Sequence, residues 1–289
     1  MIELRNVSFT YSSGNGKNGI YDINLKIEDG QTVIICGESG CGKTTLTRLI
    51  NGLIPHYYEG CLTGEILLDG VELVSQPMYE TAKKVGSVFQ NPRTQFYNVD
   101  STSEIVFGCE NMGLPIDEIY CRLNQAKADL KLDGLLDRSL FALSGGEKQK
   151  IACASVYTAY PEVIVLDEPS SNLDIKSIKD LAHVISLWKQ YGKTIIAAEH
   201  RLYYLVPFAD RVLYMNHGRI EREFSGKEFK ELSPEELIAM GLRSLHPFDL
   251  RPKAEPRGES HGKIIFKDFK FSYKKSSQTV LEIPSLTLP

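Results

Sequence analysis

Gly37-Glu38-Ser39-Gly40-Cys41-Gly42-Lys43-Thr44-Thr45 fits the pattern G-x-x-x-x-G-K-[ST] in full and follows an apolar run, Thr32 to Cys36. Glycines at 37, 40 and 42 let the backbone curl so that successive N–H groups point inward as a nest for phosphate oxygens. Lys43 adds a mobile positive charge for the β and γ phosphates, and Thr44 offers a hydroxyl to Mg²⁺. Leu46, Leu49, Ile50 and Leu53 recur at i, i+3, i+4 and i+7. That spacing predicts a helix whose N-terminus, with its dipole, closes the loop and also favours phosphate.

Outward from this loop the chain alternates between β-like and helical patterning. Ile2, Leu4, Val7 and Phe9 are separated by polar residues and read as a half-buried strand, Ser12 to Gly19 as a loop, and Ile23, Leu25 and Ile27 as a second strand. Glu65 to Leu68 and Val71 to Leu73 are joined by Asp69-Gly70, a strong hairpin signal. From Ser101 the pattern turns helical, with Ile119, Leu123, Ala126 and Leu130 on one face, and an inserted helical subdomain over about 101–158 is expected. Val163 to Leu166 and Thr194 to Ala198 are short buried runs separated by a helical segment, Ile178 to Trp188, which is parallel-sheet grammar. Val212 to Met215 and Arg219 to Glu223 then read as a closing hairpin.

Three further stretches carry chemistry. The run Val163 to Leu166 ends in Asp167-Glu168-Pro169, which places two carboxylates at the sheet edge where ligands of parallel sheets sit. Asp167 suits Mg²⁺ and Glu168 suits orientation or deprotonation of a water. Leu143-Ser144-Gly145-Gly146-Glu147-Lys148-Gln149 puts a hydroxyl and small residues at a helix start. His200 follows the last apolar strand, within reach of a γ-phosphate.

Residues 247–262 are rich in Pro, Gly and charge and read as a linker. Beyond it, Ile264-Ile265-Phe266-Lys267-Asp268-Phe269-Lys270-Phe271-Ser272-Tyr273 aligns without a gap to Ile2 through Tyr11, and Val280 to Leu288 echoes Ile20 to Ile27. The expectation is one nucleotide-binding domain over 1–246, then the first strands of a second, truncated copy over 263–289.

Composition bounds the function. The chain has 289 residues, 42% of them hydrophobic, and a formal net charge of −4, so no overall basic character marks a nucleic-acid binder. No apolar run approaches the roughly 20 residues that span a bilayer, and the opening residues are strand-like rather than a signal peptide, so a membrane role is expected to come through partners. The six cysteines show no C-x-x-C pair and no zinc spacing, and they read as free thiols. Cys41 has two readings: a thiol inclined to thiolate by Lys43 and the helix N-terminus, or a small residue that fits the turn.

With these motifs in their order, Met1 to about Ser225 resembles the ATP-binding cassette (ABC) family. The resemblance implies an α/β P-loop NTPase fold with a mainly parallel core sheet, an antiparallel β subdomain and an inserted helical subdomain. It implies that ATP and Mg²⁺ are bound, and that ATP is hydrolysed. Tyr11 would stack on adenine, Gly37 to Thr45 would be the Walker A loop, Gln90 the Q-loop ligand of Mg²⁺ and water, and Leu143 to Gln149 the signature. Asp167 would be the Walker B aspartate, Glu168 the catalytic base, Ser171 to Asp174 the D-loop and His200 the switch histidine. Thr44 and Asp167 would complete the Mg²⁺ set with Gln90, while Ser144, Gly145 and Gly146 would face the nucleotide of another ABC domain. Val88 to Phe96 and Ser103 to Gly108 resemble the energy-coupling-factor type of vitamin and metal importers. That likeness implies integral membrane subunits as partners at the cytoplasmic face of the cell membrane. A soluble tandem ABC protein acting on ribosomes or nucleic acid is the alternative, and the acidic chain makes no nucleic-acid partner the expectation.

Overall fold

The structure, a computed structural model, describes residues 1–13, 18–246, 263–272 and 279–288. The chain divides into two compact units, Met1–Pro247 and Phe248–Pro289.

In the first unit, β1 (Ile2–Tyr11), β2 (Gly19–Ile27), β4 (Gly60–Leu68) and β5 (Val71–Glu72) form an antiparallel sheet in the order β2-β1-β4-β5. Ile2, Leu4, Val7 and Phe9 all face inward although the step from Leu4 to Val7 breaks the two-residue period. A β-bulge absorbs the extra residue: the β1–β2 register shifts between Leu4 and Val7, and Asn6 takes a left-handed backbone with φ +49°. Asparagine tolerates that conformation better than most side chains.

The second sheet runs β10-β9-β3-β8-β7-β6, from β3 (Thr32–Cys36), β6 (Val85–Val88), β7 (Val163–Asp167), β8 (Thr194–Ala198), β9 (Arg211–Asn216) and β10 (Arg219–Ser225). All neighbours are parallel except the β9–β10 hairpin. Its central strands are apolar on both faces, as the continuous Val/Ile/Leu runs require. One face, with Val33, Ile35 and Val165, packs with the inward residues of β1 and β2 and with Leu46 and Leu49 of α1 (Lys43–Ile50). Helix α1 stops earlier than the spacing predicts: Gly52 turns left-handed at φ +76°, and Leu53 begins a separate short turn, α2 (Leu53–His56).

The other face, with Ile34, Val88 and Ile164, is continuous with the helical core. After α3 (Met78–Lys84) come α4 (Ser101–Asn111), α5 (Ile116–Asp129) and α6 (Gly145–Ala159). Helix α5 buries Ile119, Leu123 and Ala126, the face expected from their spacing. Helix α6 touches α4 and α5 on one side and β6 and α7 (Ile175–Gln190) on the other, so it belongs to both layers. The short helices α8 (Gly226–Lys230) and α9 (Pro234–Ala239) complete the unit. The expected linker, 247–262, lies outside the described residues.

The described part of the second unit is one antiparallel hairpin, β11 (Ile264–Phe271) with β12 (Leu281–Leu288). Its pairs Ile264↔Leu288, Phe266↔Leu286 and Phe271↔Leu281 repeat Ile2↔Ile27, Leu4↔Leu25 and Phe9↔Ile20. Asp268 repeats the left-handed backbone of Asn6, at φ +46°.

Candidate active site

Four strands of the parallel sheet deliver their carboxyl ends to one edge. β3 leads into Gly37–Thr45, β6 into Gln90, β7 into Asp167 and Glu168, and β8 into His200. Residues far apart in sequence therefore meet, at the position where open α/β sheets bind ligands.

The phosphate loop has the geometry its glycines require. Gly37 sits at φ +145°, where a Cβ would lie 2.1 Å from the Met215 carbonyl oxygen, and Gly42 at φ +108°, where it would lie 2.7 Å from Ile20. No other residue fits at 37 without moving the Met215 backbone, or at 42 without displacing the Ile20 side chain. Lys43 is buried, and its Nζ donates to the carbonyl oxygens of Gly37 (3.0 Å) and Glu38 (2.9 Å). Cys41 is buried beside it, and burial pushes its thiol up in pKa despite the Lys43 charge. Burial thus favours the second of its two readings, a small residue that fits the turn.

Thr44 Oγ1 donates to Asp167 Oδ1 at 3.0 Å. Burial raises the pKa of Asp167; the Thr44 hydrogen bond works against this, and the Glu168 charge adds to it. A desolvated carboxylate next to a hydroxyl is a pair that a cation would stabilise. Among the described residues no cluster of three or more His, Cys, Asp or Glu is placed to hold a metal. This donor set matches an ion that takes one or two protein oxygens and completes its shell with phosphate and water.

Glu168 is the hub of the second cluster. Gln90 Nε2 donates to its Oε2 at 3.0 Å, and His200 Nε2 lies 3.1 Å from its Oε1. The backbone of Glu168 is left-handed, at φ +45°, and its N–H donates to the Ala198 carbonyl of β8 at 2.8 Å. Such a conformation costs a non-glycine residue about 1–3 kcal/mol, and such outliers gather at functional sites.

A cleft of about 640 Å³ has Tyr11, Gly42, Lys43, Thr44 and Glu168 among its walls. Tyr11 stands at the end of β1 with its hydroxyl 3.1 Å from Thr45 Oγ1. Arg48, which no sequence motif marks, also lines the cleft; it donates to the Tyr11 hydroxyl at 3.1 Å and lies 4.0 Å over the Tyr58 ring. Its signal in the sequence is a lone basic residue on the first helix after the loop.

Ser144, Gly145 and Gly146 do not line that cleft among the described residues. Gly145 instead borders a separate cavity of about 340 Å³ with Gln90, Gln149 and Asn172. Ser144 caps α6: its hydroxyl accepts from the Glu147 N–H, and the Glu147 carboxylate accepts from the Ser144 N–H at 2.7 Å. Gly146 is a packing residue too, since a Cβ there would lie 2.1 Å from Ser177 Oγ of α7.

Beyond Gln90, the segment expected to meet a partner is exposed yet ordered from below. Tyr97 is 78% and Val99 64% exposed. The buried carboxylate of Glu104 accepts from the N–H groups of Tyr97 (3.0 Å) and Asn98 (2.8 Å), and Phe107 stacks on Tyr97. Among the described residues no helix is long and apolar enough to cross a membrane.

Comparison with known proteins agrees with this geometry. A family model described as ABC transporter matches residues 20–171, more than half of the chain. A Treponema denticola protein named as an ABC transporter ATP-binding protein is 52% identical over 251 residues, covering 87% of this chain and 51% of that protein. A Methanosarcina mazei protein of the same description is 37% identical, covering 82% of this chain and 40% of its own. The chain thus spans about half the length of the curated relatives it matches. Among solved structures, cbiO1 from Clostridium perfringens, described as part of the ABC transporter complex cbiONQ, superposes with a TM-score of 0.70 at 29% identity, covering 82% of this chain and 92% of that one. The dimeric, post-hydrolysis ATP-binding cassette MJ0796, bound to ADP and Pi, superposes with a TM-score of 0.66 at 26% identity, covering 78% of this chain and 98% of that one. With its α/β P-loop fold and the motifs described above, the chain belongs to the ABC transporter ATP-binding family.

Proposed function

We propose that this chain is the ATP-binding and ATP-hydrolysing part of an ABC importer of the energy-coupling-factor type, with a vitamin or a metal ion as cargo. The observation that carries the reading is the convergence of Gln90 and His200 on the Glu168 carboxylate, beside the Thr44–Asp167 pair and at the mouth of the phosphate loop. The likeness to cbiO1, itself part of a transporter complex, supports the importer class.

The loop N–H groups and Lys43 would bind the phosphates, with Lys43 exchanging its two carbonyl acceptors for phosphate oxygens. Thr44 and Asp167, with Gln90, would hold Mg²⁺, which when bound supplies positive charge to the β and γ phosphates. Tyr11 would pack against the adenine. Glu168 would orient the attacking water and accept its proton, while His200 and Gln90 keep that carboxylate in place. Gly145 borders a different cavity, and neither Ser144 nor Gly146 lines the cleft beside Lys43, so these three would serve the nucleotide of a second ABC domain, and hydrolysis would need the pair. The hairpin β11–β12 would be the start of such a domain in tandem. The exposed Tyr97–Val99 segment would dock an integral membrane subunit at the cytoplasmic face.

The test is co-purification from cells together with turnover. Recovery with a multi-helix membrane subunit, and ATPase activity that rises faster than linearly with protein concentration, is the expected result. Recovery with ribosomes instead would overturn the importer reading.

A further inference from the structure

Glu199, between β8 and His200, is a buried carboxylate with no role in the hydrolysis scheme proposed for Glu168. Its Oε1 accepts from the N–H groups of His200 (2.8 Å) and Arg201 (3.0 Å). Its Oε2 accepts from the N–H of Ser170 (3.2 Å) and the hydroxyl of Tyr204 (2.8 Å). Its own N–H donates to the Ile35 carbonyl at 3.1 Å, in the strand that leads into the phosphate loop. One side chain therefore touches the segments that follow β7 and β8, and its backbone touches the end of β3.

All four hydrogen bonds to it among the described residues come from neutral donors. A buried carboxylate so held is costly to keep unless its geometry is used, because an apolar residue would avoid the desolvation altogether. The donors are paired two to each oxygen, an arrangement that an amide cannot reproduce, since its NH₂ end offers no acceptor. Tyr204 stays a donor: burial and the Glu199 charge raise its pKa well above that of an ordinary phenol.

We propose that Glu199 is a positioning residue for ATP hydrolysis, tying the backbone of His200 to the backbone just after Glu168 and so fixing the 3.1 Å contact between His200 Nε2 and Glu168 Oε1. The proposal rests on the ATPase reading above. It differs from a role in stability alone because its effect runs through one named contact.

Two measurements on the full chain decide it. In histidine-labelled ¹⁵N NMR without nucleotide, Glu199→Gln moves the His200 imidazole resonances in the same direction as Glu168→Gln, which alters the partner of His200 directly. His200 resonances at their wild-type positions would overturn the proposal. At saturating ATP, Glu199→Gln lowers kcat by about 10²-fold with little change in KM, the scale expected for a misplaced catalytic group. In a His200→Ala background the same change costs less than about twofold more, since both act through one contact. Independent, multiplying losses overturn it. A wild-type chain without turnover at a concentration where it is paired would sink the ATPase reading, while the NMR comparison still decides the role of Glu199. If Glu199→Gln does not fold, Tyr204→Phe removes a single donor and keeps the ring. A smaller shift of His200 in the same direction is then expected, and no shift overturns the proposal.

Discussion

The hairpins β1–β2 and β11–β12 share three equivalent cross-strand pairs and a left-handed residue at the equivalent position, Asn6 and Asp268, yet their apolar faces have opposite fates. Ile2 is 1% and Phe9 0% exposed, against 60% for Ile264 and 43% for Phe271. Strand pairing satisfies the backbone in both, but it buries no apolar face by itself. In the first unit that burial comes from the second sheet and from Leu46 and Leu49 of α1. An alternating apolar pattern in a strand therefore demands a covering layer, and for β1 and β2 that layer comes from elsewhere in the chain.

The largest effect is expected at Phe9, whose repeat partner is Phe271. Phe9→Ala should destabilise the first unit by about 3–5 kcal/mol, read from urea unfolding, because it leaves a cavity in a closed core. A loss of under about 1 kcal/mol would mean that β1 is not a core strand.

The chemistry should be equally one-sided. Glu168→Gln should lower ATP turnover of the whole chain by about 10²-fold, about 2.7 kcal/mol of activation free energy, with ATP still bound. Turnover at the wild-type rate would remove Glu168 from its role.

A smaller effect, opposite in sign, is expected at Asp167, whose pKa burial raises above its ordinary value of 3.8. A carboxylate with a raised folded-state pKa costs stability above its unfolded pKa, and below it both states are protonated and the cost vanishes. Asp167→Asn should therefore melt higher than wild type at pH 7 without nucleotide or metal, and the gap should close as the pH falls below 3.8. A lower melting point at pH 7 would contradict the assigned cause.

The smallest effect is expected at the repeat partner of Phe9. Phe271→Ala should change the stability of this chain by less than about 0.5 kcal/mol, as exposed positions do. A cost equal to that of Phe9→Ala would show that β11, like β1, is covered.

What can be read in the sequence follows from how locally each feature is determined. The phosphate loop, Asp167-Glu168 and the parallel strands are each set by a few contiguous residues, and the structure places them as expected. The helix after the loop is shorter than its periodicity implies, because the apolar spacing runs on through Leu53 whereas Gly52 ends the helix. The burial of Cys41 is invisible in the sequence because it comes from distant segments, among them the Ile20 and Met215 strands that close on the loop. Arg48 and Glu199 escape sequence reading for a related reason: their partners Tyr58, Ser170 and Tyr204 lie outside any local motif. Glu199 does leave one trace, an acidic residue directly after the apolar run Ile195 to Ala198.

Gly146 lies so close to Ser177 that α6 and α7 meet there with no room for a methyl group. In a genetic screen, an inactive allele at this glycine would be taken to mean that a nucleotide contact had been lost. The same allele acts first as a wedge between two helices, because an added Cβ would lie 2.1 Å from Ser177 Oγ and 2.9 Å from Ser177 Cβ. Trimming Ser177 to glycine would restore an allele whose fault is the wedge and leave unrestored one whose fault is the contact.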